Sequence, residues 1–228
     1  MTTPDLKETL LDAALNHVAF DGWSAETFQA AVTDTGTSMA LARAICPRGA
    51  ADLAVAYHQR GDRQMVERFK ALDSTQMRYS EKVAALVRCR IEAADDKEAV
   101  RRGTTLFALP QHAPEGARLI WNTCDLIWNT LGDSSDDVNW YTKRATLSGV
   151  YGSTVLFWLG DDSLDNQDTW EFLDRRIDDV MRFEKFKAGV RNNKALSALL
   201  AGPMAVLSQV KPPASARDDL PGHFNNET

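Results

Sequence analysis

Helix signals recur along this chain and strand signals do not, and that regularity most narrows what it can fold into. Thr3-Pro4-Asp5 is a helix start: a capping hydroxyl, a proline in the first turn and an acid near the positive end. Leu6, Leu10, Ala13, Ala14, His17 and Val18 keep helical spacing up to Phe20, and Asp21-Gly22 stops it. Ser24 with Thr27 opens a second helix carrying Phe28, Ala31 and Val32, which Gly36 ends. Ser38 caps a short third helix to Cys46, and Pro47 prevents continuation. The spacing predicts a fourth helix over about 50–72 and others over about 80–94, 96–107, 115–130, 138–159 and 168–187. Turn-rich joints such as Gly132-Asp133-Ser134-Ser135 and Gly160-Asp161-Asp162-Ser163 separate them. Asp168-Thr169-Trp170-Glu171 reads as a capping box with Asp168 at the cap.

A chain of 228 residues can bury a sizeable core without disulfides or metal. Its formal net charge of −6 gives no overall attraction to DNA or to anionic lipid, so any such contact has to be local. Cys46, Cys89 and Cys124 are scattered and odd in number, which suits buried thiols in a reducing compartment. Met1 to Asp5 has no leader-like pattern, and no window holds the roughly 18–20 uninterrupted apolar residues of a membrane span. The expected location is therefore cytoplasmic, as in a bacterium or a processed organellar protein.

The first three helices have the lengths and breaks of a helix-turn-helix, with Gly36-Thr37-Ser38 as the turn. With Gly49 and Asp52-Leu53 after it, the pattern looks like the start of a TetR-type regulator. A DNA reader needs cations at phosphates and polar groups at base edges. The stretch Ser38 to Cys46 offers only Arg43, and residues 22–60 balance Arg43, Arg48 and Arg60 against Glu26, Asp34 and Asp52. Counterion release contributes little to such a surface, so a scaffold role is expected and nucleic acid is not. A TetR-type ligand-responsive transcription regulator is the alternative. Catalysis lacks a motif: His17, His58, His112 and His223 are far apart, and no Glu-x-x-His pair, nucleophile elbow or P-loop occurs. His17, on the apolar face of the first helix, reads as a satisfied core histidine.

Apolar surface concentrates in the middle of the chain. Phe107, Leu109, Trp121, Leu126, Trp128, Tyr141, Leu147, Tyr151 and Val155 are the candidates to line a pocket between helices. The same side chains suit an ordinary core, and composition alone does not separate the two. Further on, Ala195 to Val210 carries no charge and presents Leu196, Leu199, Leu200, Met204 and Leu207, with Lys185, Lys187, Arg191 and Lys194 before it. Such a segment rises about 24 Å, short of a bilayer core of about 30 Å, and Pro203 kinks it. An interfacial helix fits, and so does one docked on the domain or on a second copy.

Specific strings go beyond composition. Asp137-Val138-Asn139-Trp140-Tyr141-Thr142-Lys143-Arg144-Ala145-Thr146-Leu147 and Asp168-Thr169-Trp170-Glu171-Phe172-Leu173-Asp174-Arg175-Arg176 resemble the signatures of the Coq-nine family. Leu109-Pro110-Gln111-His112, Asp125 with Trp128, and Gly22-Trp23 also match, so the resemblance covers about residues 6–190. These are lipid-binding accessory proteins of ubiquinone biosynthesis. The resemblance implies an all-α, TetR-like helical bundle: a helix-turn-helix-like scaffold over 1–50, a lipid-binding helical domain over 51–190, an apolar amphipathic C-terminal helix over 191–211 and a disordered tail over 212–228. It implies a non-enzymatic carrier with no cofactor beyond a bound lipid, isoprenoid or quinone precursor. The implied partners are a di-iron demethoxy-ubiquinone hydroxylase, a membrane surface and a second copy in a homodimer. Asp168, Thr169, Trp170, Phe172, Leu173 and Arg176 carry the partner-facing patch by the same resemblance.

Overall fold

A computed structural model describes residues 3–135 and 138–192 of this protein, with side chains described over 6–135 and 139–182. Among the described residues it is all helical: α1 (Thr3–Asp21), α2 (Ala25–Asp34), α3 (Met39–Ile45), α4 (Ala50–Ala71), α5 (Tyr79–Glu92), α6 (Lys97–Ala108), α7 (Ala113–Thr130), α8 (Val138–Leu159) and α9 (Gln167–Asn192). A single 3-10 turn, Leu164–Asn166, precedes α9. Leu196, Leu199, Leu200, Met204 and Leu207, and the tail, lie outside the described residues.

The caps explain the bounds. Ser24 and Ser38 each accept the amide hydrogen three residues on, starting α2 and α3. Gly36 follows α2 at φ +62°, a left-handed conformation that glycine adopts without penalty. Asp96 accepts from the amides of Glu98 and Ala99 at the start of α6. The start of α9 departs from expectation. Asp161, not Asp168, is the organising acid: its carboxylate accepts from the Ser163 amide and from the amide and hydroxyl of Thr169. Those bonds hold the Asp161 carboxyl well below the usual range. Asp168 sits one residue inside the helix, its amide bonded to Ser163 Oγ. The capping-box reading fails because the 3-10 turn moves the helix start upstream. α9 also runs on to Asn192, through part of the basic stretch read as a separator.

Two apolar cores share α4. Leu10, Leu11, Ala14 and Val18 of α1 meet Phe28, Ala31 and Val32 of α2, Ala42 of α3, and Leu53 and Ala54 from the first half of α4. Met65 and Phe69 from its second half meet Leu86 and Val87 of α5, Ile127 of α7, Leu147 and Tyr151 of α8, and Leu173 and Ile177 of α9. The three-to-four-residue spacing within each helix is what puts these side chains on one face. His17 is the exception on α1. It stands half-exposed with Nε2 2.7 Å from Asp34 Oδ2, so it is satisfied by a partner on α2 rather than sunk in the core.

Arg144 on α8 is the largest fully buried side chain. Its guanidinium bonds Asp125 and Asn129 on α7, Asp133 in the loop and the Trp140 carbonyl, while lying 4.0 Å from the Trp140 ring centroid. Neighbouring Lys143 reaches Asp133 at 2.6 Å from the surface. The Trp140-to-Arg144 string therefore clamps the α7–α8 joint.

Replacing Arg144 with Leu removes a buried cation between carboxylates, and urea unfolding should show a loss of about 3 kcal/mol. Lys143→Ala, half-exposed, should cost less than about 1 kcal/mol. Equal losses for the two would contradict this account.

Candidate functional site

The α6, α7 and α8 helices leave a cavity of about 430 Å³ between them, closed below by α4. That size lies within the usual range of small-molecule sites. Small residues make it: Ala54, Ala99, Gly103, Ala108, Gly116, Ala117 and Gly152 all line it. Gly116 is required by packing, since a Cβ there would lie 2.7 Å from Phe107 Cβ. Gly152 is different: a Cβ there would meet nothing within 4 Å. The mouth lies where Ala108, Ala117 and Leu156 are exposed, and Leu156 leaves 62% of its surface to solvent. The inner end is walled by buried Trp23, Leu119 and Tyr151. Trp23 is fixed there by its indole N–H, which donates to the Ala99 carbonyl at 3.1 Å.

The inner end has a polar floor. Arg90 is buried, donating from Nε to Asp62 Oδ1 at 2.7 Å and from Nη2 to the His58 carbonyl at 2.9 Å. Thr123 Oγ1 donates to the same Asp62 oxygen at 2.8 Å and lies 2.8 Å from His58 Nε2. Gly61 admits the guanidinium, for a Cβ there would stand 2.5 Å from Arg90 Nη1. Burial and the Arg90 charge push the His58 imidazole down to about 4, so it is neutral at pH 7. Burial pushes the Tyr151 phenol up to about 12, so it keeps its proton.

Of the residues expected to line a pocket, Phe107, Tyr151 and Val155 do so. The other six lie elsewhere. Leu147 is core, and Leu126 packs against that core. Trp128 also packs there, with Tyr79 stacked on it at 6.0 Å. Trp121 and Tyr141 form an aromatic cluster with Trp140, and Leu109 is exposed in the joint after α6. Large apolar side chains fill space rather than leave it, so the sequence reading missed Trp23, His58, Arg90 and the small residues. The available signal was the glycines Gly103, Gly116 and Gly152 inside helical runs, where glycine costs about 1 kcal/mol and so asks for a reason.

The α9 patch divides in two. Thr169 and Leu173 are buried and face inward, which takes them out of any surface patch. Asp168 is exposed, and Trp170, Phe172 and Arg176 are half-buried. Trp170 is partly committed to the fold: its indole N–H donates to the Asp165 carbonyl at 2.9 Å and Arg88 lies over its ring at 4.6 Å. Phe172 stacks on Phe157 of α8 with centroids 4.6 Å apart, and Arg176 covers it at 5.2 Å. Exposed Leu156 at the cavity mouth directly precedes Phe157 on α8.

Arg43 and Arg48 of the helix-turn-helix are engaged within the protein. Arg43 lies over the Phe28 ring at 4.8 Å. Arg48 pairs with Asp52 and with Glu115 at the start of α7. Among the described residues, no three His, Cys, Asp or Glu side chains stand close enough to hold a metal ion. No helix among them is long and apolar enough to cross a membrane.

The family model described as COQ9 matches residues 113–184, from the start of α7 into α9. Ubiquinone biosynthesis protein COQ9-A, mitochondrial, of Xenopus laevis is 33% identical over 184 residues, covering 77% of this chain and 58% of that protein. The COQ9 protein of Rattus norvegicus is 32% identical over 183 residues, with 77% and 59% covered. That of Homo sapiens is 30% identical over 183 residues, with 77% and 58% covered. The chain thus spans about three-fifths of the length of these relatives. A TetR transcriptional regulator from Nitrosomonas europaea superposes with a TM-score of 0.63 at 18% identity, covering 76% of this chain and 96% of the regulator. At that identity the likeness is one of fold. The expectation of a cytoplasmic, bacterial location is corrected by the relatives, which are named as mitochondrial proteins of eukaryotes. It rested on the scattered cysteines, the pattern of Met1 to Asp5 and the lack of a long apolar window, none of which identifies a compartment.

Acid should weaken the fold through His58. Its folded value of about 4 lies below the ordinary 6.5, so between those limits the unfolded chain binds a proton that the folded one refuses. This stability is complete above about pH 6.5 and declines as pH falls toward 4, by about 3 kcal/mol at most. Urea unfolding at pH 7 and pH 4.5 reads the loss, and His58→Gln should show a smaller drop between the two.

Proposed function

The chain is a relative of the COQ9 ubiquinone biosynthesis proteins, and from that premise we propose that it is a non-enzymatic carrier of a hydrophobic quinone intermediate. The observation that carries the reading is the cavity itself: helix-walled, mostly apolar, closed at one end and open at Leu156. A prenylated quinone resists leaving a bilayer because each CH₂ brought into water costs about 0.8 kcal/mol, and apolar walls offset that cost. Among the described residues, no catalytic constellation competes for the site. His58 is neutral and engaged with Thr123, and Cys124 is buried with its thiol pushed up to about 12, far from a reactive thiolate.

The consumer of the cargo on this reading is a di-iron demethoxy-ubiquinone hydroxylase, with the carrier working as a homodimer at a membrane surface, as the family resemblance implies. Phe172, Phe157, Asp168 and Arg176 form the docking face. An aromatic pair beside a cationic rim suits a partner hot spot, and the position of Phe157 directly after Leu156 would bring a docked enzyme close to the cavity mouth. Regulation of transcription is disfavoured by the engaged arginines of the helix-turn-helix.

Two substitutions test the proposal. Gly152→Leu fills the cavity from a helical position with open space before it, so it should fold at least as well and purify with much less lipid by mass spectrometry. An undiminished lipid load would remove the cavity from the account. Phe172→Asp should keep the lipid and weaken co-purification with the hydroxylase at least tenfold, and unchanged capture would clear the α9 face of that role.

A further inference from the structure

The cavity has an inner pole whose chemistry restricts what can sit there. Tyr151 is 4% exposed, lines the cavity and makes no hydrogen bond among the described residues, although its phenol is near enough to Arg90 and Asp62 to feel both charges. Its hydroxyl is not among the enclosed polar atoms left without a partner, which are Arg102 Nε, Trp128 Nε1 and Arg176 Nε, so it has open space to bond into. Beside it, Arg90 is the one formally charged residue among those lining the cavity, and Asp62 balances it at 2.7 Å. His58 adds no charge at neutral pH. The pole is thus polar and electrically neutral, with a hydroxyl to spare.

We propose that Tyr151 donates its hydroxyl proton to an uncharged oxygen of the ligand, a quinone carbonyl or an alcohol, and that the Arg90–Asp62 pair makes this pole reject anionic headgroups. The assignment rests on the carrier reading and deepens it. An anion brought to this end would meet an Arg90 guanidinium already paired with Asp62, and would lose its own hydration without gaining a net countercharge. A carbonyl loses little hydration and completes the one open hydrogen bond. The polar head of the cargo then travels innermost, next to Trp23 and Tyr151, and the remaining tail extends toward Leu156. Docking of an enzyme at the mouth therefore has to be followed by release of the head from Tyr151, which separates storage from delivery.

The experiment is calorimetric titration of the full chain at pH 7.5 with four probes: a benzoquinone bearing two isoprene units, farnesol, farnesyl phosphate and the bare hydrocarbon farnesene. The unmodified protein should bind the quinone and farnesol at least tenfold more tightly than farnesyl phosphate. Tyr151→Phe deletes only the unpartnered hydroxyl, so its thermal midpoint should be unchanged or higher. It should bind the quinone roughly five- to tenfold more weakly and farnesene equally well. Equal quinone affinity in Tyr151→Phe, or preference of the unmodified protein for farnesyl phosphate, overturns the pole while farnesene binding keeps the carrier reading intact. Failure of all four probes to bind overturns the carrier reading and this assignment with it.

Discussion

The pair formed by Asp62 and Arg90 sits where α4 passes from one core of this molecule to the other. The α4 helix belongs to one core through Leu53 and Ala54 and to the other through Met65 and Phe69, and Asp62 lies between these sets. Arg90 reaches it from α5 and Thr123 from α7, with Gly61 cleared to let the guanidinium in. A buried ion pair is weak evidence of stability, since desolvation of both charges opposes their attraction. Its effect here is on geometry. Three helices have to arrive in fixed register for the bonds to close, and apolar side chains cannot fill the space the polar groups occupy. The cavity floor is a consequence of that junction.

Local signals made most of the architecture legible. Serine caps, a proline after α3 and glycines after α1 and α2 act within a turn of the bond they make or prevent, so Ser24, Ser38 and Gly36 could be read directly. The start of α9 was not legible in this way. It depends on Asp165 and Asn166 both adopting positive φ, and on Lys97 of α6 bonding the Asp161 carbonyl and the Asn166 side chain. A capping motif weighed without that distant lysine points to Asp168 instead. Arg48 pairing with Glu115 is a similar long-range contact that a scan along the chain does not expose.

The site was less legible than the fold, for a reason of volume. Aromatic density between Trp121 and Trp158 suggested a greasy lining, but rings packed at 4.8 to 6.4 Å, as among Trp121, Trp140 and Tyr141, consume the space they surround. A hollow survives where neighbouring side chains are too small to meet. Gly103, Gly116 and Gly152 are therefore more telling than any tryptophan except Trp23. The family strings hold structural braces as well as surface residues. Arg144 and Lys143 mark the family string, yet they brace the α7–α8 joint and do not line the cavity, and Thr169 and Leu173 anchor α9 from within. A recurring string identifies what a fold cannot do without, which includes its braces.

The helix-turn-helix shows that a backbone arrangement and its use are separable. Its backbone needs only Ser24, Gly36, Ser38 and the apolar contacts of Phe28 and Ala42, none of which concerns DNA. DNA affinity needs free cations facing phosphates, and here Arg43 is spent on Phe28 and Arg48 on Asp52 and Glu115. The same arginine that would have steered the unit to a duplex ties it to α7, the helix that supplies Gly116, Leu119 and Ile120 to the cavity wall. Charge engaged within the protein makes the unit a brace for the cavity wall. Similarity to a TetR regulator is thus informative about packing, while the direction in which the arginines point decides what that packing serves.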